Sequence, residues 1–506
     1  MKRLLENNRI LSHKRKSFDK GLRFIRVIMK RIWVLLALVV FGPTLTVRAQ
    51  DFEDTFNAFA SRNQQSFDRF ADSINRQFAE AMIANMKMFT GEKPRVQDPK
   101  PKPKMLPEIK KNKTPEIPSI KPHLEQSTQP KSAVQVQPSS EKHADSPSEQ
   151  FDELDFKLFG ENVHLGRKSF PGKLTGISAE DVSSFWVKLS ECDYEPMLQT
   201  CREAHTKRGF NDWAVYQLVL EFASQTYPQQ YNEQAVMAVF LLNQLGIEAK
   251  IGFGGAHLFC LLAVEQQLFG VSFVDIKGER YYIFELDPVF LNRDDTISFR
   301  TYDIPFLKPT KELDMNIMQP LISSESYSLI DSAITISTSM IELFGTYPQV
   351  DIAVYANARP SSVFSESVEQ FFQPYLKSLS PIEAVSFLLS YVQYGFDYAA
   401  DEQQFGYEKP FFCEENFYYP QNDCEDRCVL FAFLVRHLLN LDVVFVDYPG
   451  HIATAVHFPM RVNGAFVEHN GKRYVICDPT YVGASVGMEM PPFTPKDRGL
   501  ILLNHY

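Results

Sequence analysis

From Phe151 to the C-terminus apolar and aromatic residues recur densely, and their spacing separates helices from short strands. Two stretches share one plan. The earlier has an apolar helix from Asn232 to Leu245, then Gly246-Ile247 and a strand leading to Ala256-His257. A second strand runs to Val264, and Tyr281 to Phe284 leads into Asp287-Pro288. The later opens at Asp423-Cys424-Glu425-Asp426 and runs as an apolar helix to Leu439. A strand from Val443 to Val446 follows, then Gly450-His451, a strand to Phe458, a polar turn and Tyr474-Val475-Ile476-Cys477-Asp478-Pro479. An offset of 194 carries Leu245-Gly246-Ile247 onto Leu439-Asn440-Leu441 and His257 onto His451 without a gap, which predicts a duplicated unit. The same offset sets Gln230 where Cys424 stands, so the earlier copy lacks the thiol.

These patterns predict an α+β fold with one unit over 151–290 and another over 376–506. Between them, 291–375 carries alternating runs such as Ile352-Ala353-Val354-Tyr355 and is predicted to be a β-rich connection. Pro381 to Tyr398 reads as a helix with Val385, Leu388, Leu389 and Val392 on one face.

The chain before Phe151 reads differently. Over 51–90, phenylalanine falls at helical spacing: Phe52, Phe56 and Phe59, then Phe67, Phe70, Ile74, Phe78 and Met82. This predicts an amphipathic helical segment, suited to self-association or to packing on its own domain. Residues 91–150 hold eleven of the 31 prolines and no Phe, Trp or Tyr, the composition of a disordered linker. Residues 1–49 read as a basic extension followed by a signal peptide over 29–49: Lys30-Arg31, the apolar run Ile32 to Val40, and Val47-Arg48-Ala49 as a small-residue cleavage site. Met29 directly precedes that signal and is a candidate start. Gly42-Pro43 breaks the apolar run, so membrane attachment is expected only through an uncleaved signal. The expected location is exported: periplasm, cell envelope or extracellular.

Charge sharpens this picture. The formal net charge is −10, yet residues 1–49 carry 12 of the 52 Lys and Arg and 2 of the 62 Asp and Glu. The remainder has 40 basic against 60 acidic side chains, which argues against a nucleic-acid partner. The 7 cysteines fit neither a disulfide scaffold nor a zinc pattern, and no calcium-loop pattern is visible. No cofactor or metal is expected.

Cys424 falls at a helix N-terminus, where exposed N–H groups and the helix dipole favour a thiolate. A nucleophilic thiolate needs a base. If the strands His451 to Phe458 and Tyr474 to Asp478 pair across a turn at Asn463-Gly464, His451 lies opposite Asp478 and His457 opposite Lys472. His451 then has an orienting carboxylate and His457 does not. His451, Ala453, Ala455 and His457 share a strand face, and the alanines leave room there for the Cys424 helix. The result is a Cys424-His451-Asp478 triad. Cys428, one turn on, reads as core or as a disulfide partner of Cys424, and Cys477 as packing. Glu425 and Asp426 read as capping or loop-anchoring groups.

With these residues in hand, the chain resembles the transglutaminase-like superfamily, of exported bacterial type and with a papain-like fold. The resemblance rests on Asn422-Asp423-Cys424-Glu425-Asp426-Arg427 opening a helix, Gly450-His451 opening a strand, and Cys477-Asp478-Pro479-Thr480-Tyr481. It covers about 380–490 well and about 205–290 weakly, as a degenerate copy. It implies Cys424 as nucleophile, His451 as base and acid, Asp478 as orienter, and acyl transfer from protein or peptide amides through a thioester, with hydrolysis favoured over cross-linking. Many members carry tryptophan two residues after the histidine; here Ala453 stands there, and Trp33, Trp186 and Trp213 all lie elsewhere. The Cys424 N–H is one oxyanion donor by analogy; Gln393, Asn416 and Tyr419 are candidates for the second. The competing expectation is a non-catalytic envelope binding protein with a vestigial triad.

Overall fold

The computed structural model describes residues 88–90, 153–166, 170–284, 286, 300–302, 310–322, 326–328, 334–491 and 493–504, all within the compact unit Asp72–Tyr506. The signal segment, the phenylalanine stripe, the proline-rich linker and Asp287-Pro288 lie outside these residues.

The molecule is a mixed α+β structure built on two antiparallel sheets. In the C-terminal half the helix Cys424–Leu439 ends in a left-handed cap at Asn440 and feeds the strand Val443–Tyr448. That strand pairs with His451–His457, which pairs with Lys472–Cys477, which pairs in turn with Phe466–His469. Gly499–Leu502 closes the other edge on Val443–Tyr448. In the N-terminal half the helix Tyr231–Leu245 ends in a left-handed cap at Gly246 and is followed by Ala249–Gly254 and His257–Leu262. The latter pairs with Glu279–Phe284, whose other neighbour is Phe273–Ile276, while Arg300–Tyr302 pairs with Ala249–Gly254 and carries Met88–Thr90 as a sixth, outer strand. Apart from Met88–Thr90, the two sheets therefore share one strand order and one antiparallel sense. In both, the tight turn joining the last two strands of the meander has two positive-φ residues, Lys277-Gly278 and Asn470-Gly471.

Each sheet turns one face to the helices. Val443, Phe445, Ile452, Val456, Val475 and Cys477 share the main core with the buried side of the Cys424 helix. Val444, Val446, Tyr448, Ala453, Ala455, Tyr474 and Ile476 form a separate layer on the other face.

Three expectations are corrected. Residues 291–375 are not β-rich where described: Thr338–Phe344, Ile352–Asn357 and Ser362–Leu376 are helices. The Ile-Ala-Val-Tyr alternation lies in a short helix whose buried positions are Val354, Tyr355 and Ala356. Met88–Thr90, at the end of the segment read as helical, is a strand paired with Arg300–Tyr302. The helix from Pro381 stops at Gly395, and Asp397–Tyr398 pairs parallel with Gln421–Asn422.

A buried carboxylate fastens two of these helices. Glu414 accepts the Ser337 N–H at 2.9 Å, the Ser361 N–H at 2.5 Å and the Ser361 hydroxyl at 3.0 Å, and these two serines are the N-caps of Thr338–Phe344 and Ser362–Leu376. Burial outweighs those donors and pushes the Glu414 carboxyl up to about 7 from an ordinary 4.5. An acid whose pKa rises on folding holds protons more tightly in the folded chain, so its contribution to stability is full below about pH 4.5 and is lost as pH rises through about 7. Glu414→Gln is expected to remove this decline. Urea unfolding of the wild type and the variant from pH 4.5 to pH 8 should give stability curves of different slope; parallel curves would contradict the assignment.

Candidate active site

Asp478 sits just past the strand Lys472–Cys477, and its carboxylate is divided between two tasks. Oδ1 accepts the Thr480 N–H at 3.0 Å, the Thr480 hydroxyl at 2.8 Å and the Tyr481 N–H at 3.0 Å, which folds the chain back over itself. Oδ2 is left for the imidazole, and His451 Nε2 lies 2.8 Å from it. Both side chains are buried, at 2% and 1% exposure. With Nε2 engaged, Nδ1 is the free imidazole nitrogen, and it is buried without a hydrogen-bond partner.

The turn around Asp478 is pinned from behind. Gln393, on the helix Pro381–Gly395, donates its amide to the carbonyls of Asp478, Tyr481 and Ala484 at 2.9, 3.0 and 3.1 Å, and its Oε1 accepts the Gly483 N–H at 3.2 Å. Gln393 therefore fixes the orienting carboxylate and does not serve as an oxyanion donor. Asn416 Oδ1 accepts the Asn422 amide at 2.9 Å, and Tyr419 packs its ring between Phe405 and Phe411.

Cys424 opens its helix as expected and is fully buried. One turn further on, the helix meets the start of the histidine strand: Cys428 Sγ lies 3.5 Å from the Ile452 carbonyl oxygen. Asp478 lies close enough to act on the Cys424 thiol by its charge. The thiol is held by the hydroxyl of Tyr398, a residue that sequence reasoning missed. The short parallel ladder Asp397–Tyr398 with Gln421–Asn422 brings Tyr398 to the helix start. Arg427 steadies that ladder, donating to Asn422 Oδ1 and to the Phe396 carbonyl at 2.9 Å each. The structure thus joins His451 to Asp478 directly. Cys424 stands at the same end of the sheet, its thiol bonded to Tyr398 and not to the imidazole.

Three details of the predicted site are corrected. The helix packs on the Ile452 and Val456 face, not on the alanine face; Ala453 and Ala455 belong to the opposite layer, roofed by Val467, Phe493 and Leu500. The register is also displaced. Phe466–His469 intervenes as an extra strand and Asn470-Gly471 makes the tight turn, so His457 faces Tyr474 rather than Lys472, and Thr454 faces Cys477. His457 Nδ1 meets the Arg473 carbonyl and takes no part in the site. Finally, the helix dipole does not prevail at the thiol: burial, and next the charges of Glu425, Asp423 and Asp478, push the Cys424 thiol well above its ordinary range. All seven cysteines are free, and Cys428 and Cys477 are buried core residues.

The expected anchoring role of Asp426 is met: its carboxylate accepts the Asp423 N–H at 3.1 Å and the Phe411 N–H at 2.8 Å. Its neighbours form a dense acidic knot. Burial pushes Asp401 up to about 9 and Asp426 up to about 7, and raises Asp423 and Glu425 well above the usual carboxylate range.

His451 is roofed by aromatic rings. Phe493 lies parallel to the imidazole, within 4° and 5.6 Å between centroids, and Tyr448 stacks at 5.9 Å. Glu489 ties this roof down, accepting the Tyr448 hydroxyl at 2.9 Å and the Arg498 guanidinium at 2.7 and 2.8 Å.

Replacing Gln393 by alanine strips three buried carbonyls and one N–H of their partner, and is expected to destabilise the fold by about 2–4 kcal/mol. Urea unfolding checks this; a change below about 0.5 kcal/mol would show that the 478–484 turn holds itself. Set against known families, characterised proteins and solved structures, the chain matches no family model, no curated relative and no solved structure.

Proposed function

We propose that the chain is an exported cysteine-nucleophile acyl-transfer enzyme acting on protein or peptide amides. The observation that carries this is the buried His451–Asp478 bond with Nδ1 left without a partner, at the sheet end where the helix begins with Cys424. A carboxylate on Nε2 fixes the tautomer and leaves Nδ1 to take a proton.

In the proposed reaction the thiol turns from Tyr398 to His451 and gives its proton to Nδ1, while sulfur attacks the amide carbonyl carbon. The Cys424 N–H and the Tyr398 hydroxyl are the donors offered to the resulting oxyanion. The imidazolium protonates the departing amine as the C–N bond breaks, leaving a thioester. Water then adds, its proton passing to His451. The C–S bond breaks, the acid leaves, and the thiol regains its proton. Hydrolysis is proposed over cross-linking.

The shared strand order of the two sheets supports a transglutaminase-like, papain-like unit present twice. In the first, Gln230 caps the helix where Cys424 opens the other, and His257 again starts the second strand. That copy is proposed to be non-catalytic and to shape the substrate cleft. Self-association through 51–90 remains part of the proposal.

A second reading, an envelope binding protein with a vestigial triad, is favoured by the burial of all three side chains and by the raised thiol. A thiol probe separates the two. Under the enzymatic reading iodoacetamide labels Cys424 ahead of the other cysteines at neutral pH, His451→Ala slows this by roughly 10²-fold or more, and Phe493→Ala, which lifts the aromatic roof, speeds it. Labelling that ignores His451 would establish the vestigial reading instead.

A further inference from the structure

Beside the proposed nucleophile, and independent of any reaction assigned to it, three carboxylates converge from three points of the chain. Asp401 opens the short helix Asp401–Gln404, Glu408 lies in the loop after it, and Asp423 caps the Cys424 helix. Each offers an oxygen within 4.8 Å of the others, and all three residues are buried.

Carboxylates at such spacing repel one another, and burial without a counter-charge costs several kcal/mol per ion even after relaxation. The nearby bases are engaged elsewhere. Lys409 Nζ pairs with Glu415 at 2.5 Å, and Arg427 bonds Asn422 and the Phe396 carbonyl. The Lys409 backbone N–H donates to Asp401 Oδ2 at 2.6 Å.

A second observation comes from a residue outside the three. Glu425 is 6% exposed and its carboxyl meets that of Glu408, yet its Oε2 is buried with no hydrogen-bond partner. Asp423 Oδ1, in a side chain 1% exposed, is likewise without a partner. Acceptor oxygens left bare in a dry interior against other acceptors lack a positive group between them.

We propose that Asp401, Glu408 and Asp423, with Glu425 beside them, form a calcium-binding site that ties the 401–408 segment to the start of the Cys424 helix. The donors are all hard oxygens, which excludes a preference for soft metals. Ligand type and number favour calcium over magnesium: a buried cluster of several carboxylates suits Ca²⁺, whereas Mg²⁺ keeps most of its waters and is held by one or two carboxylates.

The test uses the whole chain, stripped with EGTA and titrated with CaCl₂ or MgCl₂ by calorimetry, with thermal unfolding in parallel. The expected result is one Ca²⁺ per chain, weaker Mg²⁺ binding and a Tm raised by Ca²⁺. Asp401→Asn and Glu408→Gln should each weaken Ca²⁺ binding at least about tenfold and abolish the Tm shift. No Ca²⁺ binding by the wild type at millimolar concentration would overturn the proposal, whatever the variants do. So would Mg²⁺ binding tighter than Ca²⁺, or variants that bind Ca²⁺ as the wild type does.

Discussion

The bond between Asp478 and His451 organises the C-terminal half of the molecule because one carboxylate satisfies two demands at once. One oxygen closes the turn Asp478–Tyr481; the other fixes the imidazole. The turn in turn depends on Gln393, four of whose hydrogen bonds end on the 478–484 backbone. A helix 85 residues upstream therefore sets the aim of the histidine. Orientation is built from backbone contacts to a rigid helix, which a flexible loop alone would not sustain.

Around this pair the interior is unusually polar for its depth. Glu414, Glu415, Asp423, Asp426, Arg427 and Asp478 are each 1% exposed or less. Most are matched: Glu414 by two serine caps, Glu415 by Lys409 and the Phe412 N–H, Asp426 by two backbone donors, Arg427 by Asn422 and a carbonyl. Matching of this kind is what allows charge inside a core, since an unmatched ion would shed or take a proton. Against that background the bare oxygens of Asp423 and Glu425 stand apart, and they stand on either side of the cysteine.

The contact of His451 with Asp478, 27 residues away, was expected from a register that the structure displaces; local features of the sequence carried the helix that Cys424 opens, the histidine at a strand start and the helix from Pro381. Each rests on periodicity or on residues a few positions apart. The gapless match from Leu245 to His257 likewise anticipated the common strand order. Features set by distant partners escaped. The register depended on Phe466–His469 becoming a strand, and both Asn463-Gly464 and Asn470-Gly471 are good turns, so composition could not choose. The helix chose the Ile452 face because burying branched side chains against it gains more apolar area than two alanines would. Tyr398 reaches the thiol only through a two-residue parallel ladder, for which periodicity gives no signal. Ile352–Asn357 is too short for a period of 2 to be told from one of 3.6.

The two sheets sharpen what separates architecture from chemistry. Both have a helix, a hairpin whose second strand opens with histidine, and a meander closed by a positive-φ turn. At the junction of helix and hairpin they differ. In the first unit Asn232 bridges the two with its amide, accepting the Leu258 N–H at 2.7 Å and donating to the Ala256 carbonyl at 3.1 Å. That contact seals the helix start to the strand with neutral hydrogen bonds. In the second, the 194 offset puts Asp426 in the place of Asn232. Its carboxylate turns to the Phe411 and Asp423 backbones instead. At this junction the thiol of Cys428 meets the Ile452 carbonyl, a weaker bond than an amide makes. The shared strand order accommodates either arrangement. The two halves therefore differ in the side chains at this junction and not in the order of the strands around it.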